Sequence, residues 1–343
     1  MIKFLTQYNR YSFLTILFLS ITIFSCDTSH NYKQVGGNFS FCSKNRIHFL
    51  HPSLITDEST NLVAQQVFEG LVKLNAENLE VEPCLSKEFS FNPNTFIYTF
   101  KLKDNIFFHD NKCFKNGKGR KLTVDDIIYT FKNICTKQLV NEGYYSTLQG
   151  VVKGADNYFN GTSNNISGIR KSGPKSIEIE LQRPNGLFLK RLANINFSIV
   201  AKEAIQKYGA ENNVGTGPFI PLKFDTYNDQ QILVRNPNYH NIDADGIRLP
   251  YLDTIFIDFE IGLKKQVKNV VEKKANTVLN LPYKAVKRIF RNHKEKFDIE
   301  IMMQNAPLLT TYFIGFNLES DILKKKEIRQ AISFALNKQE ITY

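Results

Sequence analysis

The 343-residue sequence has no tryptophan, only three methionines and five cysteines, and its six histidines are scattered. Without tryptophan the aromatic bulk falls to 28 Phe and 15 Tyr, and together with frequent Asn and Lys this bias points to an AT-rich genome rather than to a function. Cys42, Cys84, Cys113 and Cys135 stand 42, 29 and 22 residues apart. Paired zinc ligands need a spacing of about two to four residues. Of the histidines, at 30, 48, 51, 109, 240 and 293, only 48 and 51 lie within four residues of each other, so no metal triad and no His-Glu pair stands at a diagnostic spacing. No Ser/His/Asp set does either. Triads are assembled in space, so this excludes no enzyme, but it makes a positive case for none. No catalytic residue, cofactor or metal ligand is assigned.

Phosphate-binding signatures are missing too. A P-loop needs a Gly-Lys pair followed by Ser or Thr and a helix. In the basic loop 111–121, Lys118 and Lys121 are followed by Gly119 and Leu122, which reads as a hairpin tip. The two glycines of Val214-Gly-Thr-Gly-Pro-Phe219 lead into no dinucleotide-binding helix start, and Pro218 removes a donor, so a tight turn is expected there.

Long apolar runs are equally scarce. The one candidate, residues 11–24, is 14 residues long and follows Lys3 and Arg10. A bilayer core needs about 20. The run fits the apolar region of a secretory signal behind a basic head. Small Ser25 before Cys26 suggests a lipoprotein signal over 1–25, cut so that Cys26 becomes the acylated first residue. A plain signal with an incidental cysteine is the alternative. Residues 26–40 are polar, carry Gly36-Gly37, and read as a tether. Export argues against nucleic acid as the partner of a chain whose net charge is +11, and no base-reading basic helix or zinc-finger spacing is visible. An oxidising compartment permits disulfides among the four remaining cysteines, while four separately buried thiols fit the spacing as well.

What is present is a globular chain, 42% hydrophobic and 22% charged, long enough for about two domains. Strands are expected at 46–50, 95–102, 105–110 and 196–201, a helix over 61–68 broken by Gly70, and a short helix at 188–193. Ser172-Gly173-Pro174 marks a hairpin whose second strand alternates Ile177, Ile179 and Leu181 with Glu178 and Glu180. Thr123 with Asp126 three residues on predicts a capping box, so Asp125 and Asp126 read as helix-start carboxylates rather than an acid/base pair. Between Lys264 and Lys296 stand eleven Lys/Arg and two Glu. This run is either a solvated face or a contact with anionic headgroups.

An ordered series of segments rises above this background. It runs from FLHPSLITDESTNLVAQQVFEGLVKLN (49–75) through FIYTFKLKDNIFFHD (96–110), KLTVDDIIYTF (121–131), SGIRKSGPKSIEIELQRPN (167–185), NVGTGPF (213–219), LVRNPNYH (233–240) and LPYLDTIFI (249–257) to TTYFIGFN (310–317) and KKEIRQAISFALNKQEI (325–341). It resembles the family 5 extracellular solute-binding proteins, the oligopeptide- and dipeptide-binding components of ABC importers. The resemblance implies an α/β fold, a two-lobed type II periplasmic-binding-protein clamshell with an inserted extra domain. Lobe I would comprise 41–53 and 165–305, and the inserted domain 54–164. Residues 306–343 would begin a second lobe that is largely missing, so that the chain alone would hold peptides weakly. The resemblance further implies a monomeric, lipid-anchored receptor on the periplasmic or cell-surface side, with a peptide ligand and ABC permease subunits as partners. The alternative is a truncated lipoprotein remnant or interaction surface that binds no ligand. Thr56, Asp57, Glu58 and Ser59 resemble the extended stretch that pairs with a peptide main chain. Tyr144 resembles a cleft-lining aromatic, and Tyr312 and Phe313 stand at the crossing into the second lobe. For 56–59 a scaffold role, capping the following helix, is the other reading.

Overall fold

A computed structural model describes residues 35–43, 47, 50–137, 141–223, 230–259, 262–279, 281–282 and 313–337. The chain divides into two compact units, Met1–Lys287 and Arg288–Tyr343.

Alternating apolar residues build the first sheet of the first unit. β1 (Asn38–Ser43) runs parallel to β10 (Thr254–Phe259) on one side and to β11 (Thr277–Val278) on the other. β9 (Gln230–Arg235) is antiparallel to β10 and to β8 (Phe219–Lys223), giving the order β11-β1-β10-β9-β8. Phe41, Leu233, Ile255 and Ile257 point from these strands into a core shared with α1 (Glu58–Val67), which contributes Val63, Ala64 and Val67.

Among the described residues the first strand lies at 38–43, and of the expected strand at 46–50 the two described residues, Ile47 and Leu50, are not in a strand. Ile47 and Leu50 are buried core plugs on irregular backbone, and Arg46, His48 and Phe49 lie outside the described residues. The folded body also begins before the expected end of the tether at residue 40. Gly36 N–H donates to the Tyr251 carbonyl at 2.7 Å and Gly37 N–H to Asp253 Oδ2 at 2.9 Å. The polar content of 27–40 masks the Phe39/Phe41 alternation that makes 38–43 a strand.

A second sheet has the order β4-β5-β7-β6, all antiparallel: β4 (Ser86–Asn92), β5 (Ile97–Leu102), β7 (Ser176–Glu180) and β6 (Ile169–Gly173). A small hairpin, β2 (Val72–Leu74) with β3 (Val81–Pro83), precedes it. Tyr98, Phe100 and Leu102 of β5 and Ile177 and Ile179 of β7 are buried on one face, as their period of two requires. The other face of β7 is wet: Glu180 holds Lys153 at 2.6 Å and Arg170 at 2.7 Å. Helices α2 (Val124–Ile134), α3 (Ala155–Phe159), α4 (Phe188–Leu192) and α5 (Lys202–Tyr208) accompany this sheet, and its core runs from Leu71 to Val214.

This sheet crosses the boundary expected at 164. β6 and β7 belong with β5 because Ile169, Ile177 and Ile179 complete the face that Tyr98 and Phe100 begin. Two other expected strands do not form. Residues 105–110 make a single bridge, Phe107 to Lys121. Residues 195–201 form a short 3₁₀ turn (Ile195–Phe197) and then irregular buried backbone. There Ile195 and Val200 pack into the first core while Phe197 and Ile199 pack into the second, so the alternation serves two cores rather than two faces of a sheet. Cys42, Cys84 and Cys135 are buried thiols, Cys113 is half-buried, and no disulfide is present among the described residues.

The first unit also carries α6 (Leu263–Val271), and the second unit α7 (Lys326–Ala335), whose Phe334 is exposed. Among the described residues no helix is long and apolar enough to cross a membrane.

Candidate functional site

The segment leading into α1 is held by side chains from elsewhere in the chain. His51 Nδ1 accepts from Ser53 N–H at 3.2 Å and from the Ser53 hydroxyl at 2.9 Å, capping a 3₁₀ turn at Pro52–Leu54. Burial pushes the His51 imidazole down to about 4. Buried Asn196 donates to the carbonyls of Pro52 at 3.0 Å and Ile55 at 3.5 Å. The chain leaves this clamp in extended conformation, with Ile55 at φ −78°, ψ 122° and Asp57 at φ −111°, ψ 151°. Thr56, Asp57 and Glu58 are exposed and Ser59 is half-buried.

Asp57 is the N-cap of α1: its Oδ1 accepts from Thr60 N–H at 2.9 Å. The helix thus starts at Glu58, three residues before the expected Asn61. The stretch 56–59 is not extended throughout. Only Thr56 and Asp57 precede the helix, while Glu58 and Ser59 form its first turn, where backbone N–H groups have no intrahelical acceptor. Beside this edge, Leu62 of α1 faces Phe39, Phe41, Phe219, Ile257 and Leu279 across an apolar groove of about 370 Å³.

The other end of α1 is fixed by a buried carboxylate with no counterpart among the expected site residues. Glu69 follows Phe68 of the first core and precedes Leu71 of the second. It accepts from Tyr239 Oη at 2.9 Å, Thr216 Oγ1 at 2.9 Å, His240 Nε2 at 3.0 and 3.2 Å, and Cys84 Sγ at 3.6 Å. Burial works to raise its pKa, but the hydrogen bonds and the facing His240 outweigh burial and hold it below the usual carboxylate range. Burial beside this charge pushes the Tyr239 and Cys84 protons the opposite way, so both groups stay protonated donors. Two signals mark the cluster in sequence: a lone acid inside the apolar run VFEGL, and a Tyr-His pair after Asn-Pro-Asn. Neither indicates that they meet.

Gly215 and Gly217 pass close behind α1. A Cβ on Gly215 would lie 2.0 Å from the Val67 carbonyl oxygen, so this stretch is a close-packed turn. His109 reads it from the far side, donating from Nε2 to the Gly217 carbonyl at 2.9 Å and accepting Gly215 N–H on Nδ1 at 3.3 Å.

Tyr144 does not line a cleft. It is fully buried, stacks on Phe159 with centroids 3.9 Å apart, and spends its hydroxyl on Asp156 at 2.7 Å. The resemblance points to a cleft-lining ring here, but tertiary contacts with α3 cover Tyr144, and its neighbour Tyr145 is the exposed ring. Phe313 is 84% exposed in the second unit. Tyr312 and Cys26 lie outside the described residues. Asp126 caps α2 through Thr123 N–H at 2.9 Å and also takes both terminal nitrogens of Arg120 at 2.6 and 2.9 Å. Among the described residues no group of three or more His, Cys, Asp or Glu is placed to hold a metal ion.

Comparison with known proteins fits this architecture. The Escherichia coli (strain K12) dipeptide-binding protein is 28% identical over 312 residues, covering 88% of this chain and 54% of that protein. Heme-binding protein A of Haemophilus influenzae is 25% identical over 96% of this chain and 60% of its own length. The chain thus spans little more than half the length of these curated relatives. A periplasmic oligopeptide-binding protein from Borrelia burgdorferi superposes with a TM-score of 0.69 at 24% identity, over 89% of this chain and 58% of that one. The family model described as bacterial extracellular solute-binding proteins, family 5 Middle, matches residues 80–343. With most of its length matched, the chain belongs to the family 5 bacterial extracellular solute-binding proteins and has the mixed α/β fold of the type II periplasmic binding proteins.

Proposed function

We propose that this chain belongs to the substrate-binding component of an ABC importer, which captures peptides outside the cytoplasmic membrane and hands them to permease subunits. The observation that carries the reading is the clamped, extended and exposed segment at Thr56 and Asp57, at the start of α1. Extended backbone held in place by the rest of the fold can pair with the main chain of another extended segment. Backbone groups are common to all peptides, so such pairing tolerates many side chains. The first-turn N–H groups of Glu58 and Ser59 extend the row of donors. Tyr312 and Phe313 are kept as proposed ligand contacts on the family resemblance of TTYFIGFN (310–317) alone. Tyr144 is scaffold in this reading. Relatives named for dipeptide and for heme binding make peptide the first ligand to test and hemin the second. The protein acts as a monomer, held to the outer side of a membrane by lipid on Cys26, because a short apolar run with a basic head ends on Ser25-Cys26.

The test is calorimetric titration of the Cys26→Ser protein with a di- to pentapeptide library, the same peptides N-methylated on the backbone, and hemin. The reading predicts binding of peptides with varied side chains and loss of binding on N-methylation. Preference for hemin, or indifference to N-methylation, would overturn it. Lipid attachment is tested apart, by feeding labelled palmitate to an expressing bacterium: label must appear on the parent and be absent from Cys26→Ala.

A further inference from the structure

The charge of this chain is confined to one place. The full sequence carries +11, of which Lys3 and Arg10 precede Cys26 and the 33 residues from Lys264 to Lys296 supply +9. Everything else after Cys26 is balanced, with 31 basic against 31 acidic residues. Such asymmetry points to an anionic partner rather than to general solubility.

Five of these basic residues are described, and all are exposed: Lys264, Lys265 and Lys268 on α6, and Lys273 and Lys274 just after it. At about 100° per residue the three helical lysines fall within a single arc of about 100°. Gln266, outside that arc, is the buried residue of the helix. Helix stability does not explain the pattern. Cations near the C-terminal end of α6 complement its dipole, but Lys264 and Lys265 stand in the first turn, which holds no acid and where positive charge is unfavourable. Glu272 faces the cluster, 3.5 Å from Lys268 and 2.8 Å from Lys274, whose side chains remain 68% and 67% exposed.

The cluster also lies beside the strand through which the chain arrives from Cys26. Ser40 of β1 donates from its backbone N–H to Asn276 Oδ1 at 2.7 Å and from its hydroxyl to the Lys274 carbonyl at 3.4 Å, and β1 pairs with β11 directly after. Cys26 stands ten residues before Gly36, the first of the described residues to bond into the fold. Ten residues span at most about 36 Å along any path.

We propose that the lysine face of α6 and the turn 272–276 is a docking surface for anionic lipid headgroups. It would lay the first unit against the membrane that holds the Cys26 lipid, a placement that rests on the lipid-anchor reading above. Anionic headgroups attract a basic surface by about 1 kcal/mol per lysine, which adds to what the lipid on Cys26 contributes.

The test uses the Cys26→Ser chain from residue 26 on, which carries no lipid, so its failure leaves the acylation reading to the palmitate experiment. Flotation is run with vesicles of phosphatidylcholine alone and with about 30% phosphatidylglycerol, at about 50 and about 500 mM salt, the higher value collapsing the screening length. Expected are binding to the anionic vesicles only, loss of binding at high salt, and a fall of about fivefold per lysine, hence about 100-fold for Lys264→Gln/Lys265→Gln/Lys268→Gln. The exposed control Lys101→Gln/Lys171→Gln/Lys175→Gln, on the other sheet, should partition like the parent. If the triple variant melts early, Lys273→Gln/Lys274→Gln reads the same effect at about 25-fold. Equal binding to neutral vesicles overturns the proposal. So does parent-like partitioning of the α6 variants, or binding of soluble polyphosphate without binding of the anionic vesicles.

Discussion

Asp126 carries two roles on one carboxylate. As the third residue of a capping box it takes Thr123 N–H and the Thr123 hydroxyl, and it also receives the Arg120 fork, which continues to Glu203 at 2.7 Å. The motif Thr-Val-Asp-Asp makes the cap legible in sequence. It says nothing of Arg120, because that contact depends on the loop 111–121 folding back under Asp110, which holds Gly119 N–H at 2.8 Å. A lost cap costs about 0.5–2 kcal/mol, and removing one partner of a buried pair costs more. Since Arg120 keeps Glu203, Asp126→Ala should lower stability by about 2–4 kcal/mol, read as a shift of the urea midpoint. A loss under about 1 kcal/mol would show that the Arg120 bonds add nothing to the cap. At the same scale, His51 and His109 both accept a backbone N–H on Nδ1 and are both pushed down to about 4, chiefly by burial. In the unfolded chain they titrate near 6.5, so between about 6.5 and 4 the unfolded state binds more protons. Stability must therefore be full above about 6.5 and fall as pH drops toward 4, by about 1.4 kcal/mol per pH unit for each histidine. Urea titrations from pH 7 to 5 should show this slope and His109→Gln should halve it. A flat profile contradicts the assignment.

Elements with short-range patterns read well from sequence. β5, the β6–β7 hairpin and the α2 cap rest on residues two to four apart, and all three form, with β5 beginning at Ile97 rather than at the expected Thr95 because Phe96, at φ 56°, is still in the turn. The helix α1 starts three residues before the expected Asn61 because its start is set by Asp57, which the local pattern leaves open between capping and ligand contact. Its far end depends on distant chain: Val67 O accepts from Gly217 N–H at 2.9 Å, and Gly215 leaves no room for a side chain. Gly215→Ala should accordingly cost at least about 4 kcal/mol, in the exceptional range for one substitution. Thermal melts showing a loss below about 1 kcal/mol would mean that α1 is not clamped there. The Glu69 cluster was not legible for the same reason. Its members at 69, 84, 216, 239 and 240 come from separate segments, and only the fold brings them to one carboxylate.

For the whole molecule, family and fold class were legible because many segments recur in one order, a signal that survives at 28% identity. The internal boundaries were less so. The expected break at 164 falls inside the stretch that feeds the second sheet, while the two cores meet near residues 69 and 195–201, where single residues alternate between them. Those meeting points flank the segment proposed to contact ligand: Asn196 clamps its start, and Glu69 fixes the helix that follows it. This construction pins the backbone that leads into the exposed Thr56 and Asp57, which suits the proposed main-chain recognition because a preordered strand loses little entropy on pairing. The most direct test is amide hydrogen exchange at residues 55–59, with and without a saturating tripeptide. The account predicts added protection at Thr56 and Asp57, extending into the first turn at Glu58 and Ser59, with Tyr144 unchanged. Protection that leaves 55–59 untouched while peptide is bound would contradict it.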